Sequence, residues 1–358
     1  MNPLNSVLTA ALLALSAQVL LTTQAVAATA ATATTPTTVT VQNFVRAESD
    51  TYFARLVAKM GAFGRFHHFR EPTPIDNQPV VAMNRDTLYS GAVFDLDAGP
   101  VTIELPDSKG RFMSLQAVSQ DHYMPMLAYA PGKYTLTREL IGTRYVLAGL
   151  RTMVQATDDA DVKIATQLQD QVKITQVAKG SFEIPLWDSV SLAKVREPLL
   201  VLQGMSGWTN ERRAGRNKDD VDPIHYLLAT ASNWGLNTPE GAVYDNVQPT
   251  LNDGNTVHTL TVKEVPVDAF WSISIYNEKF FFEKNPLDSY STNNLSAAKN
   301  KDGSVTIQFG GCTEKSANCL VTPPNWRYQV RLYRPRADII SGRWVFPKAE
   351  PVRKPSPH

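Results

Sequence analysis

MNRDTLYSGAVFDLDAGPVTIELPD, residues 83–107, holds two strand-length runs at 87–94 and 101–105. They are separated by Ala98-Gly99-Pro100 and closed by Pro106-Asp107. Turn formers between runs of β-branched and aromatic residues mark antiparallel sheet. Runs at 112–118, 133–136 and 145–151 continue the pattern, with a turn at Pro131-Gly132. Short strands at this spacing, with no long helix between them, predict a β-sandwich and exclude a parallel α/β sheet.

Working outward, residues 43–63 place Phe44, Ala47, Tyr52, Leu56 and Met60 near helical spacing, so one amphipathic helix precedes the strands. A helical middle follows them. Asp158 caps a helix carrying Val162, Ala165, Leu168 and Val172; residues 189–205 form a second; Asp222-Pro223 opens a third, to about Trp234. Residues 211–222 hold four basic and four acidic side chains, which cancel, and read as a solvated loop. Strands return at 256–262, 270–276, 304–309 and 328–332, with turns at Asp253-Gly254 and Asp302-Gly303. The expected fold class is mainly β with a helical middle segment. Its parts are 43–184 (helix plus sandwich), 185–235 (helical connector), 236–351 (second β domain) and a tail, 352–358.

The 35 Lys and Arg against 34 Asp and Glu leave no basic surplus for nucleic acid, and 43% hydrophobic residues exclude disorder. No charged side chain precedes Arg46. Residues 7–21 (VLTAALLALSAQVLL) are too short for a membrane span of about 20 residues. With Ala25-Val26-Ala27 after them they read as a signal peptide, 1–27, although MNPLNS lacks Lys and Arg. Residues 28–42 are a flexible leader, and no membrane span is expected after cleavage. The expected location is periplasmic or secreted. In that compartment Cys312 and Cys319, in GGCTEKSANCL, form a local disulfide.

Catalytic motifs are mostly missing. Gly204-Met205-Ser206-Gly207-Trp208 lacks the last glycine of a nucleophile elbow in place. Ser191-Leu192-Ala193-Lys194 and Ser296-Ala297-Ala298-Lys299 match S-x-x-K without K-T-G or S-D-N companions. H-E-x-x-H, Walker and G-x-G-x-x-G motifs are absent, so no cofactor is implied. His67, His68, His122, His225, His258 and His358 form no cluster, and no metal is assigned.

Three polar and aromatic groups remain. Arg85, Asp86 and Tyr89 enter a strand. Asp121 and Tyr123 leave one; strand alternation would place them together and turn His122 away. In 270–276 and 327–334, Trp271, Ile273, Ile275, Tyr328, Val330 and Leu332 should face the core. The opposite faces, with Tyr276, Arg331 and Tyr333, either line a groove for an anionic or sugar-like ligand or form a solvated outer face.

The string at 83–107, with RFMSLQAVSQDHY, PGKYTL and RYVLAGLRT, resembles the domain-of-unknown-function family 1254. VPVDAFWSISIYN, NPLDSYS, DGSVTIQFGG and YQVRLYRPR resemble family 1214, which usually follows it in one chain. The resemblance implies an immunoglobulin-like sandwich followed by a jelly-roll-like domain, and carries no catalytic residues. Where longer members show N-W-L-P-A-P, this sequence has Asn318-Cys319-Leu320-Val321-Thr322-Pro323-Pro324.

The functional expectation is an exported protein handling a small molecule or carbohydrate between two β domains. Its contacts would be Arg85, Tyr89, Tyr123, Tyr276, Arg331 and Tyr333. Two alternatives stand beside it: an ester-type hydrolase with Asp86 or Asp121 as general base, and an envelope protein acting only through protein contacts. Convergence of Asp86, Asp121 and Arg331 on one cleft is the observation that would favour the first two.

Overall fold

The structure is a computed structural model that describes residues 35–78, 81–206 and 210–352. The expected signal peptide, the leader up to residue 34, Gly207, Trp208 and the tail from 353 lie outside the described residues.

Helix α1 (Phe44–Met60) opens the fold. It is followed by β1 (His67–His68), β2 (Thr87–Asp95), β3 (Val101–Leu105), β4 (Met113–Ser119), β5 (Met126–Tyr129) and β6 (Gly132–Leu136). Next come α2 (Arg138–Ile141), β7 (Tyr145–Met153), α3 (Asp159–Asp170) and β8 (Lys173–Gln176). The helical middle is α4 (Ser189–Ser206) and α5 (Pro223–Ser232). The second half has β9 (Ala242–Val247), β10 (His258–Val262), β11 (Trp271–Tyr276), β12 (Ser291–Asn293), β13 (Val305–Phe309) and β14 (Cys319–Leu320). It closes with β15 (Arg327–Tyr333), α6 (Ala337–Ile340) and β16 (Glu350–Pro351). The protein is mainly β with a helical middle.

In the first half, a five-stranded sheet ordered β1-β2-β7-β4-β5 faces a three-stranded one ordered β6-β3-β8. Ala92, Phe94, Leu115, Val146 and Leu150 of the larger sheet pack on Val101, Ile103 and Leu105 of β3. In the second half the sheets run β14-β13-β10-β16 and β12-β11-β15-β9. Leu260, Ile307 and Phe309 of the first meet Trp271, Ile273, Ile275, Tyr328, Val330 and Leu332 of the second. Each such side chain contributes about 1.5–3 kcal/mol by leaving water. The period-2 face expected for β11 and β15 is therefore the core face.

Helix α1 departs from the simple apolar stripe. Phe44, Ala47 and Phe53 are buried, but so are Glu48, Ser49 and Asp50, while Met60 is exposed. The buried acids have partners. Glu48 pairs with Arg196 of α4, and Asp50 accepts from Gln120 Nε2 (2.6 Å) and Trp187 Nε1 (2.9 Å). Helices α1, α4 and α5 share Phe44, Ala47, Leu192, Leu199 and Leu228. Asp158 and Asp222 cap α3 and α5 as their sequence positions indicate.

Part of the stretch expected to be a flexible leader is docked. Thr37 donates to Leu186 O and accepts from Asp188 N, Val39 N donates to Ser191 Oγ, and the Val39 side chain is buried. The charged loop at 211–222 is also not wholly solvated. Arg213 is buried and donates to Asn233 Oδ1 (2.8 Å), and burial pushes its pKa down to about 10. The disulfide Cys312–Cys319 is formed. No helix among the described residues is long and apolar enough to cross a membrane.

Candidate functional site

A cavity of about 240 Å³ lies at the seam of the two β halves. It is roomy enough for roughly eight waters at about 30 Å³ each, near the lower end of small-ligand sites. The first half supplies Tyr52 of α1, Asn84, Tyr89 of β2 and Arg151 of β7. The second half supplies Tyr244 of β9 and Gln329, Arg331 and Tyr333 of β15, while Ser232–Leu236 after α5 closes the remaining side. Strand alternation explains the last set, because residues 329, 331 and 333 share one face.

Register builds the site further. Tyr89 stands opposite Arg151 in the β2–β7 pair, and Tyr244 stands opposite Arg331 in the β9–β15 pair. Each half thus brings one tyrosine–arginine cross-strand pair to the cavity. The Arg151 guanidinium lies 5.6 Å from the Tyr89 ring. Arg331 is buried and donates to Ser274 Oγ (2.8 Å), Tyr276 Oη (2.5 Å), Ala82 O (2.8 Å) and Met83 O (3.2 Å). Tyr276 is wholly buried behind Arg331 and donates to Met83 O (2.7 Å). The β11 and β15 face left open between groove and solvated surface is in fact the buried seam: Ser272, Ser274, Arg331 and Tyr333 are all buried.

Tyr333 has a fixed polarity. Asn84 Oδ1 accepts from Asp86 N (2.6 Å), so its amide nitrogen donates to Tyr333 Oη (2.7 Å). The phenol's own proton remains available as a donor. Burial holds the Tyr333 pKa well above its usual value, so this hydroxyl stays protonated.

The other expected residues scatter. Arg85 donates to Thr73 O, rests over Tyr290 at 5.6 Å, and lines a separate cleft of about 60 Å³ with Asp86. Asp86 is buried; Oδ1 accepts from Asn293 Nδ2 (3.2 Å) and Oδ2 has no hydrogen-bond partner. Ser272 adjoins it but does not meet hydrogen-bond geometry. Desolvation raises the Asp86 pKa, with Arg331 pulling in the opposite direction. Asp121 is half exposed and ion-paired with Arg46 at 2.6 Å. Tyr123 stacks on Tyr226 at 5.2 Å. Asp121 and Tyr123 do not line the cavity. Asp86, Asp121 and Arg331 therefore do not converge on one cleft.

Residues 119–122 form a turn closed by His122 N on Ser119 O (2.9 Å), which is why the alternation expected of an extended strand fails there. His122 has φ 59° and is buried. Its Nε2 accepts from Gly235 N (2.8 Å), so the ring proton sits on Nδ1 and is donated to Thr230 Oγ1 (2.8 Å). Thr230 Oγ1 in turn donates to Tyr226 O (2.9 Å). Trp234 is stacked between Tyr52 (4.4 Å) and His122 (5.3 Å), with its Nε1 on Ser49 Oγ (3.1 Å). His122 therefore positions the Trp234–Gly235 wall. Burial pushes its pKa down to about 3, and the imidazole is neutral. Arg151, Tyr244, Tyr52, Asn84, Gln329 and this wall line or hold the cavity without having been among the contacts expected from sequence. No group of three or more His, Cys, Asp or Glu that could hold a metal lies among the described residues.

Two family models match the chain, each described as a protein of unknown function: DUF1254 over residues 63–176 and DUF1214 over 241–337. The two matches fall on the N-terminal and C-terminal halves, where the resemblance in sequence placed them. The DUF1254 match holds Asn84, Tyr89 and Arg151, and the DUF1214 match holds Tyr244, Gln329, Arg331 and Tyr333. The cavity thus straddles the two family regions. The VPA0106 protein from Vibrio parahaemolyticus is similar in structure, with 18% identity, a TM-score of 0.67, and coverage of 87% of this chain and 98% of that one. An uncharacterized protein from Burkholderia cenocepacia is similar at 13% identity and a TM-score of 0.50, over 87% and 88% of the two chains. These likenesses show the fold alone. No curated protein matches the sequence.

Proposed function

We propose that this protein binds a small molecule, carbohydrate included, in the cavity between its two β halves. The observation that carries the reading is the seam cavity itself, to which each half brings a tyrosine–arginine pair. Of the contacts expected from sequence, Tyr89, Arg331 and Tyr333 belong to the proposed binding surface, and Tyr276 supports Arg331 from behind. Arg85 and Tyr123 fall outside it. A thermal-shift screen of sugars, organic acids and lipids tests the reading: a binder raises Tm by mass action, and no stabilisation by any compound refutes it. The hydrolase alternative draws no support from the geometry. Asp86 sits in a narrow cleft with its carboxyl pushed toward the protonated form, and Asp121 is held by Arg46 elsewhere.

Export to the periplasm or medium is part of the same proposal. It is supported by the apolar run before Ala25-Val26-Ala27 and by the Cys312–Cys319 disulfide, a bond that persists in oxidising compartments. N-terminal sequencing of secreted material should begin at Ala28; retention of Met1 in the mature protein would overturn it.

A further inference from the structure

We propose that the ligand of the seam cavity is a small organic acid, whose carboxylate is received between Arg331 and Arg151. The inference rests on the reading of the cavity as a binding site and narrows it to a chemical class. Its first support is charge. Two guanidiniums line the cavity, and among the described residues no Asp or Glu does. Arginine does not shed its proton to escape burial, so both positive charges persist.

The second support is that four other buried or half-buried arginines have a carboxylate partner, whereas these two have none. Arg46 pairs with Asp121, Arg111 with Asp161, Arg144 with Asp95 and Arg196 with Glu48. Among the described residues Arg331 and Arg151 form no ion pair. Arg331 is satisfied by neutral oxygens: two carbonyls, a serine and a phenol. The nearby carboxyl, Asp86, is pushed toward its neutral form by burial and already accepts from Asn293. A buried cation without a counter-charge is costly, and an incoming anion removes that cost in a site of low dielectric.

The third support is hydrogen-bond polarity. Tyr333 has its acceptor side filled by Asn84 and presents a donor. The N–H donors of Arg331 beyond those on Ser274, Tyr276, Ala82 and Met83, the Arg151 guanidinium and this hydroxyl together offer donors, which a carboxylate accepts in charge-assisted bonds. The volume of about 240 Å³ restricts the rest of the molecule to a single small ring or short chain.

The test uses matched probes on the mature protein: glucuronate with glucuronamide, benzoate with benzamide and succinate with succinamide, plus glucose 6-phosphate as a different anion, read by thermal shift and calorimetry. At least one acid should bind on the order of ten- to hundred-fold more tightly than its amide, the range expected when a hydrogen-bonded charge is lost. Arg151→Gln should lower the acid's affinity by a similar factor and so narrow the difference between acid and amide. Arg331→Lys, which keeps the charge if Arg331→Gln does not fold, should weaken the acid less. Amides binding as well as acids would overturn the carboxylate assignment and leave cavity binding intact. Tighter binding of glucose 6-phosphate than of every acid would overturn it in favour of phosphate. No binding by any probe would overturn both.

Discussion

Replacing His122 with glutamine, a side chain that can accept from Gly235 N–H but does not titrate, isolates one buried group. His122 is neutral in the fold because Nε2 is already an acceptor; adding a proton there would set two donors against each other. Its pKa is pushed from 6.5 down to about 3 by desolvation. The folded value is depressed, so the stability tied to neutral His122 is present above pH 6.5 and is lost as the pH falls toward 3. Between pH 6.5 and roughly pH 4.5 the unfolded histidine gains its proton and the folded one does not, at about 1.36 kcal/mol per unit. The expected loss is on the order of 3 kcal/mol.

Other groups move over the same range. Burial raises Glu48, Asp50 and Asp86, whose contributions have the opposite sign: present below their unfolded values and lost as the pH rises through the folded ones. His68, pushed down to about 4 by burial and then by Arg70, runs with His122. The measurement is therefore a difference. Urea unfolding of wild type and His122→Gln at neutral pH should show the variant less stable by about 1–3 kcal/mol, the cost of disturbing a buried hydrogen-bonded group. At pH 4.5 the gap should shrink by on the order of 3 kcal/mol, because His68 acts equally in both proteins and only wild type also holds His122. An unchanged gap would refute the assignment of a neutral, acceptor His122 behind the Trp234–Gly235 wall.

Removing the disulfide with Cys312→Ala and Cys319→Ala should cost about 2–2.5 kcal/mol in urea unfolding, the loop-closure term for a sequence separation of 7, and leave ligand affinity unchanged because neither cysteine lines the cavity. Asp121→Asn should change stability by no more than about 1 kcal/mol, since its partner Arg46 is also half exposed, and calorimetry should find binding unaltered; lost binding would return Asp121 to the site. Arg331→Gln should destabilise by on the order of 3 kcal/mol, because it cuts bonds to Ala82 O and Met83 O across the seam, whereas Arg151→Gln should cost less than about 1 kcal/mol; equal losses would show that Arg151 also holds the fold.

The legible parts of the fold were those governed by period and punctuation. The runs at 87–94 and 101–105 became β2 and β3 because turn formers bound them, and Asp158 and Asp222 became caps because a short carboxylate before a helix satisfies free backbone N–H groups. β1, β14 and β16 escaped notice because a two-residue edge strand carries no period to read. The α1 stripe misled for a different reason: Glu48 and Asp50 are buried by partners far along the chain, Arg196 and Gln120, which no local pattern can announce.

The cavity divides along the same line. Arg331 and Tyr333 could be found because period 2 sorts β15 into two faces and one of them carries cations and phenols among apolar neighbours. Arg151 carried the same signal: in Tyr145–Met153 it is a lone charge inside an otherwise uncharged strand that buries Leu150 and Thr152 on either side. A cation in such a strand must face a partner or a cavity, and the register opposite Tyr89 supplies both. His122 gave no such warning, because its role depends on a backbone turn at positive φ, and Asp121-His122-Tyr123 reads equally well as extended chain. Residues that contact the cavity from strands are thus recoverable from alternation, whereas those that hold its wall from turns require the fold.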